Sequence, residues 1–140
     1  MIVRHVPVEH VHQLWPVVAP WMASGAVHSC GEVSLDHVQM YLSQGQWALF
    51  IIEDDDALVG AAAVQFFNRP SGRVAFVTAL GGEHVVSDDV INQLGALCAQ
   101  FGATQFEGAV RESVARLFMQ HGFVEKYRVI GFDYLGRSPL

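Results

Sequence analysis

A chain of 140 residues, 51% hydrophobic and only 16% charged, has the size of one ordinary domain and enough apolar side chains to bury a sizeable core, which excludes an intrinsically disordered protein. Its formal charge of −6, with eight lysines and arginines scattered singly, offers no basic stripe to nucleic acid or to an anionic membrane surface. No window approaches the roughly 18 apolar residues of a membrane span, and MIVRHVPVEH lacks the apolar core of a secretory signal, so a cytoplasmic single domain over 1–140 is expected.

Ile2–Val6 reads as a short first strand. After Pro7, Val11, Leu14, Trp15 and Val18 recur at helical spacing, and Pro16 and Pro20, each removing a backbone donor, predict two short helical pieces. Ser34 is a suitable N-cap for a helix with Leu35, Val38 and Leu42 on one face and Gly45 past its end. WALFIIE (47–53), ALVGAAAVQFF (57–67) and RVAFVTAL (73–80), separated by Asp54–Asp56 and by NRPSG, predict three sequential antiparallel strands buried on nearly both faces.

From Ser87 the helical period returns through Val90, Leu94, Leu97 and Phe101, stopped by Gly102. ATQFEGAV (103–110) is strand-like. Val114, Leu117, Phe118 and His121 then mark a helical face closed by Gly122, with Phe123 placed for the apolar contact of a Schellman cap. VEKYRVIGFDYL (124–135) predicts a long strand or two short ones. Cys30 and Cys98 stand alone and read as small buried hydrophobes. The seven histidines contain no His-x-x-x-His pair, so no metal site is expected.

The resulting order is β-α-α-β-β-β-α-β-α-β, an α/β (α+β) chain with a mixed central sheet of about six strands flanked by helices. In this order, and in RESVARLFMQHGF (111–123), the chain resembles the GNAT N-acetyltransferase family. A Gly-Gly after the fourth strand and an arginine before the GF helix are also similar to divergent GNAT-like proteins of bacteriophages and prophages, a likeness that implies a virion-associated location as an alternative.

The resemblance implies acetyl-CoA between the fourth and fifth strands, its diphosphate held by backbone amides of a Q/R-x-x-G-x-G/A loop at the following helix. Exposed N–H groups at a helix start suit that task. Here the loop reads GGEHVVSDD (81–89): Gly81 and Gly82 permit close approach, but Glu83, Asp88 and Asp89 place negative charge near the helix, and Ser87 or Asp88 can cap its amides. The tyrosine that GNAT enzymes commonly use to protonate the leaving thiolate aligns with Phe118, which has no proton to give. The asparagine often found at the helix start aligns with Arg111.

The resemblance therefore implies a GNAT-fold protein with a degenerate acetyl-CoA site, acting as a non-catalytic binding or structural module. The alternative is an active acetyl-CoA-dependent N-acetyltransferase on an unknown amine. In that case Thr78, Ala79, Leu80, Gly81 and Gly82 would hold the acetyl and pantetheine arm, Arg111 would stand near the diphosphate, and Glu107 would act as base, with Glu32 next in line and Tyr127 or Tyr134 as substitute acid. A second alternative is an unrelated α+β interaction domain, which antiparallel or non-adjacent strands 73–80 and 103–110 would favour. A protein partner or a homo-oligomer is expected through a sheet edge or apolar surface, the meander's outer face or the Trp15/Trp21 segment among them.

Overall fold

The computed structural model describes residues 1–27 and 33–135. Its elements are β1 (Ile2–Val6), α1 (Val8–Val27), α2 (Leu35–Ser43), β2 (Trp47–Asp54), β3 (Ala57–Arg69), β4 (Gly72–Gly82), α3 (Asp88–Gln100), β5 (Gln105–Gly108) and α4 (Glu112–Met119). The sheet runs in the order β1-β2-β3-β4-β5. Its first three pairings are antiparallel, and β4 and β5 are parallel neighbours. The two strands are thus adjacent and parallel, joined through α3, and lack the antiparallel or non-adjacent arrangement that would favour an unrelated α+β domain.

The continuous apolar runs arise because both sheet faces are covered. Leu49, Ala61, Ala63 and Ala79 face α1 and α2, where Val11, Val18, Met22, Val38 and Leu42 are buried. The intervening residues Phe50, Ile52, Ala62, Val64 and Ala75 face α3, which contributes Val90, Leu94 and Cys98. Asp55 and Asp56, both at positive φ, turn β2 into β3 between the paired Asp54 and Ala57, the left-handed geometry that a two-residue hairpin requires.

Local stop signals act where expected. Ser34 accepts from the His37 amide, and Gly45, Gly102 and Gly122 take positive φ beyond their helices. The amide of Phe123 donates to the Phe118 carbonyl and that of Gly122 to Met119, with the Phe118 and Phe123 rings edge to face, which is the Schellman arrangement.

Two expectations are corrected. Helix α1 is one element with Pro16 and Pro20 inside it. Both prolines are exposed, so the carbonyls they leave unpaired sit on the solvent side, while Val11, Val18 and Met22 hold the opposite stripe to the sheet. Among the described residues the sheet has five strands in place of about six, because residues 124–133 form no ladder. Alternation gives that tail strand character, but a strand exists only with a partner.

Candidate functional site

Strand β4 outruns β5. Their pairing covers only Val74–Val77 against Gln105–Gly108, whereas β4 stays paired with β3 as far as Gly82 opposite Gly60. Thr78, Ala79, Leu80, Gly81 and Gly82 therefore share one stretch with β3 on one side and no β5 ladder on the other. A bulge opens at its start: Ala63 pairs with Ala79 and Val64 with Val77, leaving Thr78 as the extra residue. The Thr78 hydroxyl donates to the Ala63 carbonyl at 3.0 Å.

The two glycines of this stretch serve the chain's own packing. A Cβ on Gly81 would lie 2.5 Å from the carbonyl oxygen of Trp21 in α1. Gly82 has φ +127, and a Cβ there would run into the Val59 carbonyl and the Gly60 backbone. Val85, buried at the turn beyond, occupies the space left by Gly60 and Gly82. Close approach is required here, but by an α-helix and a neighbouring strand.

The start of α3 is equally committed. Ser87 is its N-cap, with Oγ accepting from the Val90 amide at 3.2 Å. Asp88 Oδ1 meets His121 Nδ1, beyond the end of α4, at 2.5 Å. Asp89 lies 3.6 Å from the N-terminal amine and accepts from Gln93 Nε2. Gln93 in turn bonds the Met1 carbonyl and the Val3 amide, tying α3 to β1. The helix dipole is thus met by two carboxylates and a hydroxyl belonging to the chain itself. All three groups act here as acceptors, and the two carboxylates carry charge of the same sign as a diphosphate.

Glu107 stands on β5 with its side chain 9% exposed, ion-paired to Arg69 at the end of β3 and to Lys126 of the tail. Burial by itself would raise its carboxyl, but the hydrogen bonds from Lys126 and Arg69 outweigh that and hold it below the usual carboxylate range. Arg69 is raised in turn, foremost by its hydrogen bond to Glu107. A carboxylate with two cations on one oxygen is a weak proton acceptor.

The remaining residues are dispersed. Arg111 precedes α4 as its N-cap residue without a side-chain cap bond. Phe118 packs on Phe123, which packs on Phe106 of β5. Tyr127 lies beside Arg69, and Tyr134 is exposed on Phe132. Glu32 and Cys30 lie outside the described residues. Sequence reasoning missed the partners of Glu107 and Asp88: Arg69 and Lys126 lie 38 and 19 positions from Glu107, and His121 lies 33 from Asp88, beyond any local signal.

No protein-family model matches this chain, and no curated protein sequence does. Solved structures do. An aminoglycoside acetyltransferase from an uncultured soil metagenomic sample superposes with TM-score 0.68 at 10% identity, covering 95% of this chain and 94% of its own. A predicted acetyltransferase with acetyl-CoA from Clostridium acetobutylicum gives 0.67 at 11% identity over 97% of both chains. A ribosomal-protein-alanine N-acetyltransferase from Brucella melitensis gives 0.67 at 13%, over 95% of this chain and 98% of that one.

Proposed function

We propose, from the premise that this chain has the fold of the GNAT acetyltransferases, that it is a degenerate member of that architecture, a binding or structural module that does not transfer acetyl groups. A fold of this kind hosts a function only through its site. The observation that carries the reading is the α3 N-terminus, where Ser87 caps an amide and Asp88 and Asp89 are engaged with His121 and the N-terminal amine. An incoming diphosphate meets like charge there, at about 1–4 kcal/mol per unit contact near 4 Å between bulk water and a protein surface. Phe118 in the position of the thiolate acid, and a Glu107 neutralised by two cations, support the same reading.

The test is a thermal-shift titration of the full chain with acetyl-CoA and with CoA, followed by an acetylation assay on a panel of amines. The expected result is no rise in Tm at ligand concentrations that would stabilise a micromolar binder by more than about 2 kcal/mol, near a hundredfold excess over Kd. A clear Tm rise, or turnover on any amine, overturns the reading.

One observation favours the second reading, an active acetyl-CoA-dependent N-acetyltransferase: β4 runs on from Thr78 to Gly82 without β5 beside it, an edge along which backbone amides can meet an extended acyl chain. On that reading Glu107 is the base through water and Arg111 stands near the diphosphate. Glu107→Gln would then lower turnover by the roughly hundredfold or more that a general base contributes.

A further inference from the structure

The β1–β2 ladder ends at Val6 opposite Leu49, but β2 begins two residues earlier. Trp47 and Ala48 therefore have Gln65 and Val64 of β3 on one side and no β1 on the other. Pro7 turns the chain into α1 at this corner, and a cavity of about 220 Å³ opens there. Its floor belongs to the core, since Val6, Val11, Leu42 and Leu49 line it and all are buried. Arg73, which also lines it, stands at the N-terminal end of β4, whereas Thr78–Gly82 stand at the other end of that strand.

The polar groups at this corner are held in place and left unused. The Arg73 guanidinium lies 5.4 Å over the Phe66 ring, its Nε donates to the Phe101 carbonyl at 3.0 Å, and its Nη1 donates to Asn68 Oδ1 at 3.1 Å. None of these contacts neutralises it. Among the described residues Arg73 and Arg111 are the arginines without a carboxylate partner; Arg111 is exposed before α4, while Arg73 is half-buried. Phe66 and Phe101 stack with centroids 5.0 Å apart, and His5 meets the edge of Phe101. Burial lowers the His5 imidazole, so at neutral pH it is uncharged, with one ring nitrogen to donate and one to accept. Its ring meets Phe50 and Phe101 and takes no hydrogen bond from the described residues.

We infer that this corner is a binding site for a small aromatic monocarboxylate, its ring on the apolar floor and its carboxylate at Arg73. Charge selects the carboxylate: in a chain of net charge −6, a fixed guanidinium with no counter-ion calls for an anion, and its planar fork matches a carboxylate. One cation selects one negative charge, because the second charge of a phosphate dianion would be left uncompensated over apolar side chains. The rings of His5, Trp47, Phe66 and Phe101 at the cavity offer faces and edges to an aromatic body. Size sets the limit, since the cavity falls below the roughly 300–1,000 Å³ that holds a drug-sized ligand. The site does not depend on whether acetyl-CoA binds at the far end of β4.

Benzoate is the probe, titrated into the full chain at constant ionic strength and followed by the proton–nitrogen correlation spectrum. The amides of His5, Trp47, Ala48 and Phe101 are expected to shift and saturate with one Kd below about 10 mM, while those of Thr78–Gly82 stay in place. Benzamide, of equal size but uncharged, is expected to bind at least about tenfold more weakly, and Arg73→Gln to weaken benzoate by about the same factor. Gln46→Glu, at an exposed position lining the cavity, adds like charge and is expected to weaken benzoate about threefold or more; it reads the site even where Arg73→Gln folds poorly. No saturation by about 20 mM, shifts centred on 78–82, equal binding of benzamide, or benzoate binding indifferent to either substitution overturns the assignment.

Discussion

Gly81 of β4 lies against the backbone of Trp21 in α1, so that a methyl group at position 81 would stand 2.5 Å from the Trp21 carbonyl oxygen and 2.6 Å from its Cβ. Backbone yields less readily than the far end of a side chain, so Gly81→Ala has to lift α1 from the sheet. The expected loss is about 1–3 kcal/mol, read as a lower urea midpoint. Gly108→Ala, whose Cβ would meet nothing closer than the Val77 carbonyl oxygen at 3.6 Å, is the control and should stay within about 0.5 kcal/mol. An unaffected Gly81→Ala would mean that the glycine serves a ligand and not the helix.

Much of the fold is legible in the chain because its signals are local. The caps at Ser34 and Ser87, the stops at Gly45, Gly102 and Gly122, and the turn at Asp54–Asp56 each act within a few residues, and all appear where the sequence places them. The continuity of α1 was hidden because a proline's effect depends on whether its face looks to solvent, which only the packed sheet decides. The candidate site was legible as a location and not as chemistry. The sequence shows the two glycines where the fourth strand runs out, although the strand itself continues through Gly81 and Gly82; that Trp21, Val59 and Gly60 already occupy their open sides it does not show. Glu107 likewise shows as a strand carboxylate, while Arg69 and Lys126 join it only through the fold.

The β2–β3 turn has room for improvement. Asp55 and Asp56 sit at φ 49 and 65, a region that L-residues other than asparagine and aspartate rarely enter. Asp56→Gly gives the Asp-Gly pair preferred in such turns and relieves the strain at the second position. An increase of about 0.5–1 kcal/mol is expected by urea denaturation. Loss of stability would show that the Asp56 side chain contributes contacts outweighing its backbone strain.

Asp88 and Asp89 are expected to oppose anions at α3. Replacing both by asparagine keeps their shape while removing the charge, worth about 0.3–1 kcal/mol each against the helix dipole. Helix stability should fall by about that much, and CoA measured by calorimetry at low salt should bind roughly three- to thirtyfold tighter than to wild type. The gain should shrink at high salt as the charges are screened. Equal CoA binding by the double variant and wild type would remove these carboxylates as the cause of the degenerate site.

Cys98 is 1% exposed within the α3 core, and burial pushes its thiol up to about 12. The thiolate is the reactive form, so in a Cys30→Ser background Ellman's reagent at pH 8 should leave the folded protein nearly untouched and label it fully in denaturant. Labelling of the folded protein at the rate of a free thiol would mean that α3 opens from the sheet far more often than its packing implies.

The pH dependence of stability should carry the mark of Glu107. Its folded-state carboxyl lies below the ordinary value, because the bonds from Lys126 and Arg69 outweigh the opposing effect of burial. A depressed carboxyl contributes stability that is fully present above the unfolded glutamate pKa, about 4.3, and is lost as pH falls through the folded value. Glu107→Gln cannot titrate, so it should lose about 1–3 kcal/mol at pH 7, where charged hydrogen bonds disappear, and much less at pH 3. The gap between the wild-type and variant urea midpoints should therefore narrow steadily below about pH 4.3. A gap that stays constant to pH 2 would mean that the two cations do not hold this carboxylate in solution, and Glu107 would return as an available base.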